Sequence, residues 1–293
     1  MLYRFSKNTA FTPFSFSGAN GILKVWDSEF LGGENNKNKE YPMTQIQGPA
    51  GFLHTDEGGS FGVPVVFVHS FAGSTAHWAA QLAHLRKTRR AVALDLRSHG
   101  QSDSPTRDDY AVESLAGDIA AVTDGLKLKR FVVVGHSMGG SASLAYAGAH
   151  PERAAGLVLV GTPGKIPAEQ AQQVMSSLKS DYENVMASYW NKLLTNAQPQ
   201  VLAQIQSERG RLPRAVSLSL IQAIFDFDPV PMLQRYRGPK LAVVTPDQDN
   251  PYDLHNLVPD LPHKVVIGTS HWLHMDRPEE FNHIFDEFLK EVR

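Results

Sequence analysis

The chain has 293 residues, carries a formal net charge of −2 at pH 7 and contains no cysteine. A chain of that length buries a full hydrophobic core, either as one α/β domain with an insertion or as two domains. The near-neutral charge, without a long basic run, argues against nucleic acid or an anionic membrane as a partner. The missing cysteines remove disulfides, thiolate nucleophiles and zinc–sulfur sites together.

Met1 to Gly18 holds Arg4 and Lys7, but its apolar residues are broken up by Ser, Asn, Thr and Pro. No apolar core of signal-peptide length results, and no stretch of the chain reads as a membrane span, so a cytoplasmic location is expected. Gly32-Gly33-Glu34-Asn35-Asn36-Lys37-Asn38-Lys39 reads as a flexible polar linker. Residues 1–42 are therefore expected to form a leader outside the fold.

Met43 to Asp56 has room for two short antiparallel strands, punctuated by Gly48-Pro49. Val63 to Val68 predicts a strand buried on both faces. It runs into His69-Ser70-Phe71-Ala72-Gly73-Ser74 and then a helix with Trp78, Leu82 and Leu85 on one face. Ala91 to Leu94 predicts the next strand, followed by Asp95-Leu96-Arg97-Ser98-His99-Gly100-Gln101-Ser102. Val112, Leu115, Ile119 and Val122 form the apolar face of a helix.

Phe131-Val132-Val133-Val134 then predicts a buried parallel strand that enters Gly135-His136-Ser137-Met138-Gly139. A small-residue segment compatible with a helix follows, Ser141 to His150, and Pro151 closes it. A strand, a sharp Gly-x-Ser-x-Gly turn and a helix together make a nucleophile elbow. The turn strains Ser137, lifts its hydroxyl clear of the sheet, and places the Met138 amide at a helix start. Gly135 and Gly139 are required because a Cβ at either would strike a neighbouring strand or helix.

Leu157 to Val160 predicts a further strand. From 163 to 238 only helical periodicity and prolines appear. Ser180-Asp181-Tyr182-Glu183 reads as a capping box, Val185, Met186, Tyr189, Trp190, Leu193 and Leu194 follow at helical spacing, and a second apolar helix spans Ser217 to Phe227. Leu241 to Val244 returns to strand and ends in Thr245-Pro246-Asp247-Gln248-Asp249-Asn250-Pro251. Lys264 to Ile267 predicts the last strand, which leads to Gly268-Thr269-Ser270-His271-Trp272-Leu273-His274. A closing amphipathic helix carries Phe281, Ile284, Phe285, Phe288 and Leu289. Alternation of this kind implies an α/β protein with a mostly parallel sheet and helices on both faces.

These ordered motifs, over about residues 43–293, resemble the α/β-hydrolase family. The resemblance implies a core of residues 43–162 and 239–293, with 163–238 as an all-helical cap over the active site. It implies a serine hydrolase acting on carboxylic esters or lactones, acyl-homoserine lactones among them. Ser137 is then the nucleophile and His271 the base, with His274 as its competitor one helical turn on. Asp249 is the preferred acid over Asp247. The oxyanion donors fall on the amides of Phe71 and Met138. Serine stands at positions 70 and 98, where the family usually has glycine, and Thr245 stands where it usually has one at a strand end. Asp95, Arg97 and His99 are assigned to tying their turn together, and His69 to bracing its loop, although His69 is also carried as a candidate pocket residue. Met186, Trp190, Phe225 and Phe227 are candidates for an acyl pocket or for packing within the cap.

Neither a cofactor nor a metal is expected, since phosphate-loop, Rossmann and zinc signatures are missing. The expected partner is a small ester or lactone. A serine elbow argues against the aspartate-nucleophile members of the fold. Carbon–carbon bond hydrolysis, cofactor-free perhydrolysis and a ligand sensor with little turnover remain alternatives.

Overall fold

The β-branched runs of the sequence become the centre of one sheet. In a computed structural model of the chain, which describes residues 22–23, 43–246 and 250–292, nine strands pair in the order β1-β2-β3-β5-β4-β6-β7-β8-β9. They are β1 (Ile22–Leu23), β2 (Met43–Gly48), β3 (Gly51–Gly58), β4 (Val65–Val68), β5 (Ala91–Leu94), β6 (Phe131–His136), β7 (Ala154–Val160), β8 (Lys240–Val244) and β9 (His263–Val265). β1 to β3 form an antiparallel meander that joins β5, and β4 to β9 are parallel. Every residue of β4, β5, β6 and β7 is buried, as strands covered on both faces must be.

The side-chain alternation of these strands divides the core in two. On one face Val66, Val133 and Leu159 pack with α2 (Val112–Gly125) and α3 (Met138–Ala149). On the other, Phe67, Val134 and Val158 meet Trp78, Leu82 of α1 (Ala79–Leu85), and Phe281 and Phe285 of the C-terminal helix Pro278–Glu291. Between β7 and β8 lie five helices: α4 (Ala168–Ser180), α5 (Tyr182–Leu193), α6 (Pro199–Glu208), α7 (Arg214–Asp226) and α8 (Pro229–Arg235). Two four-residue helices follow, α9 (Leu254–Leu257) and α10 (Leu273–Asp276), and the C-terminal helix is α11.

Several boundaries differ from those read off the sequence. Ile22–Leu23, assigned to the leader, pairs with β2 through Ile22↔Ile46 and Leu23↔Gln45. β7 starts three residues earlier than its apolar run, at Ala154, because Ala and Gly also fit between covered faces. β9 is an exposed edge strand that ends at Val265, short of the predicted Ile267, which is 71% exposed. The capping box is not formed. Ser180 ends α4 with its hydroxyl on the Ser177 carbonyl at 3.1 Å, and Asp181 instead accepts both of its hydrogen bonds from the Asn184 amide, at 3.1 and 3.0 Å.

The turns that follow β4 and β5 are held by buried polar side chains. Arg97 donates to both oxygens of Asp118, at 2.9 and 2.7 Å, and to the Asp109 carboxylate at 2.9 Å. Asp95 accepts from the Thr75 and Gln101 amides at 2.6 and 2.9 Å and meets His54 at 2.9 Å. Gly100 has φ +53°, and a Cβ there would lie 2.0 Å from Asp95 Oδ2. Ser98, in the place of a glycine, sits at φ +63° with its hydroxyl 2.7 Å from that of Tyr110. His69 Nδ1–H donates to the Ser70 carbonyl at 2.8 Å while its Nε2 accepts from the Leu96 amide at 3.0 Å. His99 Nδ1–H donates likewise to the Arg97 carbonyl at 2.8 Å, and its Nε2 accepts from the Ala72 amide at 3.2 Å. Burial lowers these imidazoles to about 4 and about 3, and an added proton on either Nε2 would face an amide N–H.

The chain passes from β6 to α3 through the glycines flanking Ser137. A Cβ on Gly135 would lie 2.2 Å from the Gly139 carbonyl oxygen, and one on Gly139 would lie 2.3 Å from that of His69 and 2.6 Å from that of Val68. The obstacles are backbone atoms and cannot rotate away. Gly139→Ala is therefore expected to cost at least about 2 kcal/mol by overpacking. Gly210→Ala, where a Cβ would meet nothing within 4 Å among the described residues, should be neutral or slightly stabilising; urea denaturation of the two variants checks the contrast. Because His69 and His99 are buried neutral, the unfolded chain binds more protons below the ordinary imidazole value of 6.5. Stability is expected to be full above that value and to decline as the pH falls from 6.5 toward about 4, which a melting-temperature series over pH would show.

Candidate active site

Ser137 has φ +53° and ψ −116°, a region that a residue with a Cβ occupies at a cost of order 1–3 kcal/mol. Its conformation is held from both sides, by its amide donating to the Val160 carbonyl at 2.8 Å and its carbonyl accepting from the Ser141 amide at 3.1 Å. His136 and Met138 are fully buried, whereas Ser137 is partly accessible. As the first residue of α3, Met138 has an amide with no acceptor inside the helix. The Phe71 amide, in the loop after β4, makes no hydrogen bond among the described residues. That loop turns at Ala72, with φ +55°, and Ser70 is accommodated without a positive φ.

Ser137 opens onto a cavity of about 450 Å³ between the C-terminal ends of the parallel strands and the helices that follow β7. Phe71, Thr162, Thr245 and His271 line it on the sheet side. Val174 and Leu178 of α4, Val185, Met186 and Tyr189 of α5, and Ile221, Ile224 and Phe225 of α7 supply its apolar walls. Of the pocket residues expected from sequence, Met186 and Phe225 line the cavity. Trp190 does not: its ring is buried between Phe71 and Trp272, stacked on each at 5.9 Å. α5 turns the stripe Val185, Tyr189 and Leu193 to the cavity, and Trp190, one position on from Tyr189, falls toward the sheet. His69 also lies outside it, fully buried with both ring nitrogens engaged by backbone. Phe227 is buried beyond the end of α7 in a separate groove with Tyr110 and Val112.

His271 follows β9 through Gly268, whose φ is +69°. Its amide donates to the Leu193 carbonyl at 2.9 Å, and its carbonyl accepts from His136 Nε2–H at 2.9 Å. The loop is braced from behind by Asp276, which accepts from the Ser270 amide at 2.8 Å, the Ser270 hydroxyl at 2.5 Å and the Gln198 amide at 2.7 Å. Burial lowers the His271 imidazole to about 4, so at neutral pH it is uncharged and able to accept a proton. Its Nε2 has no hydrogen-bond partner among the described residues. His274, the competing histidine, lies away from the cavity with its ring stacked on Trp78 at 4.1 Å.

Asp249 and its alternative Asp247 lie outside the described residues. Thr245 and Asn250, on either side of that segment, both line the cavity. Thr162, Thr245 and Tyr189 were missed as lining residues by sequence reasoning. The two threonines follow the ends of adjacent strands whose register runs to Val160↔Val243, a pairing that no sequence spacing discloses. Among the described residues, no group of three or more His, Asp or Glu side chains is arranged to hold a metal ion, and no single helix is long and apolar enough to cross a membrane.

Known proteins share this fold. The structure matches the enol-lactonase from Burkholderia xenovorans LB400 with a TM-score of 0.74 at 25% identity, over 84% of this chain and 100% of that one. In sequence, 3-oxoadipate enol-lactonase 2 of Acinetobacter baylyi is 23% identical over 240 residues, covering 77% of this chain and 88% of its own. A 2-hydroxy-6-oxo-2,4-heptadienoate hydrolase of Pseudomonas putida is 41% identical over a shorter span of 106 residues, 35% of this chain and 38% of its own. Esterases are among the structural neighbours as well. The sequence profile described as alpha/beta hydrolase fold matches residues 63–278. With the sheet order, the strained serine turn and this match together, the chain belongs to the alpha/beta-hydrolase family.

Proposed function

We propose that the protein is a serine hydrolase that cleaves carboxylic esters or lactones through an acyl-enzyme. The observation that carries this reading is the meeting, in one apolar cavity, of a hydroxyl on a left-handed turn and an uncharged imidazole whose Nε2 has no partner among the described residues. Serine is a poor nucleophile at neutral pH and needs a base to take its proton as it attacks. His271 accepts that proton, Ser137 Oγ bonds to the carbonyl carbon, and the alcohol leaves with the proton returned by His271. Water then attacks the acyl-enzyme by the same route in reverse, releasing acid and free Ser137. In a lactone the leaving alcohol stays attached to the acyl group, so one ring-opened product results.

The Phe71 and Met138 amides are the proposed donors to the oxyanion; removing one such donor typically costs about 3 kcal/mol of transition-state stabilisation. Asp249 is proposed to orient the imidazole and stabilise its charged form. The helices α4, α5 and α7 act as the cap, and their aliphatic and aromatic wall suits an apolar acyl chain or ring. The likeness to two enol-lactonases favours lactones within this class. A second reading, hydrolysis of a carbon–carbon bond, is favoured by the 41% identity with the heptadienoate hydrolase.

Steady-state assays on p-nitrophenyl butyrate, a set of lactones and a vinylogous 1,5-diketone decide between the readings. Turnover of the esters or lactones with kcat lowered at least about 10³-fold in Ser137→Ala and His271→Ala is the expected result. Turnover confined to the diketone would move the assignment to the second reading, and full ester activity in Ser137→Ala would end the serine mechanism. In the same assay Asp249→Asn is expected to fall about 10³-fold or more while Asp247→Asn stays near wild type; the opposite pattern would transfer the role to Asp247.

A further inference from the structure

His136 precedes the proposed nucleophile and takes no part in the chemistry above, yet it is a polar side chain with no exposure at all. Its ring lies 4.7 Å from that of His271 and 4.8 Å from that of His274, edge-on to Trp272 at 6.0 Å. Nε2 stands 2.9 Å from the His271 carbonyl oxygen. A carbonyl only accepts, so Nε2 carries the hydrogen, and Nδ1 is left without a partner among the described residues. An apolar side chain would fill this site without the desolvation cost of burying an unpaired nitrogen. What the imidazole adds is one hydrogen bond, and that bond joins the backbone of the base to the residue beside the nucleophile.

The other side of the same residue is pinned as well. The His271 amide donates to the Leu193 carbonyl at the end of α5. The base thus hangs between two anchors, one on the elbow and one on the helical segment over the cavity. Burial, reinforced by the neighbouring His271 and His274, holds the His136 imidazole well below its ordinary value, so it remains a neutral donor through the working pH range.

We propose that His136 is a positioning residue: through the bond from its Nε2–H to the His271 carbonyl it holds the base at its working distance from Ser137. The proposal rests on the serine-hydrolase reading. A side chain needed only for packing would be replaced best by one of similar bulk, whereas a positioning donor would be replaced by one that reaches the same carbonyl. Glutamine places its amide nitrogen near the reach of Nε2, and asparagine places it near that of Nδ1.

The test compares His136→Leu, His136→Gln and His136→Asn with the wild-type protein. Turnover of p-nitrophenyl butyrate and the rate of Ser137 labelling by a fluorophosphonate are measured beside the melting temperature. In His136→Leu kcat is expected to fall about 30- to 100-fold, with KM within about twofold, as for a misplacement of the order of 1 Å. His136→Gln should recover to within about fivefold of wild type and His136→Asn should stay low. Wild-type kcat in the leucine variant overturns the proposal, as does a folded glutamine variant no faster than asparagine. Should leucine fail to fold, the glutamine–asparagine pair decides alone. A wild-type protein that neither turns over ester nor labels at Ser137 removes the serine-hydrolase reading itself, and is told apart from the other outcomes because it is seen before any variant is made.

Discussion

The structure depends on the contact between the first turn of α3 and the end of β4. Gly139 lets the helix start rest against the carbonyls of Val68 and His69, closer than any side chain would permit. Three things follow from that approach. The chain must turn from strand to helix at one residue, which drives Ser137 into the left-handed region. The Met138 amide is left free at the helix start. The loop after β4, which carries Phe71, is set beside the elbow by the same contact. Strain of order 1–3 kcal/mol at Ser137 is small beside the burial of β6 and of the α3 face on it, where each fully buried Val or Leu side chain contributes about 1.5–3 kcal/mol.

Buried polar groups in this protein serve two ends that their bonding tells apart. His69 and His99 each donate from Nδ1 and accept at Nε2, and Arg97 and Asp95 are surrounded by complementary charge and backbone amides. Such groups brace turns, and their chemistry is spent inside the fold. Among the described residues His271 is bonded through its backbone, to Leu193 and His136, and its ring nitrogen Nε2 has no hydrogen-bond partner. A rigid backbone and an unpaired ring nitrogen are what a proton acceptor needs, because reorganisation during the reaction is then small.

The helices between β7 and β8 are joined to the sheet domain where the site is made. Trp190 stacks between Phe71 and Trp272, Leu193 receives the His271 amide, and Asp276 reaches the Gln198 amide at the start of α6. A buried pair, His77 Nε2 and Glu208 Oε2 at 2.6 Å, adds a further tie. Burial pushes the Glu208 carboxyl up, but its bond and charge attraction to His77, with the Gln204 bond and the Arg211 charge, together hold it below its usual range. Displacement of these helices would therefore disturb the Phe71 loop and the His271 loop together.

Local chemistry made much of this legible in the chain itself. A valine run entering Gly-x-Ser-x-Gly admits few folds, because only glycine tolerates the backbone contacts around Ser137, and the alternation of apolar runs with helical periodicity settled the layered sheet. The order of Ser137 and His271 along the chain could be read for the same reason, since each sits at a strand end with its own turn residues. Pairing across the chain was closed to that reading. Whether Trp190 or Tyr189 faces the cavity depends on how α5 rolls against Phe71 and Trp272. That His274 packs on Trp78 and that Ile22–Leu23 joins the sheet are likewise results of contacts between distant segments, whereas Ser180 ends a helix through bonds three residues apart that compete with the capping box. Sequence determined which residues could carry the chemistry, through steric and hydrogen-bonding demands within a few positions. Tertiary structure alone decided which of them share a cavity, because that depends on the register and packing of elements more than a hundred residues apart.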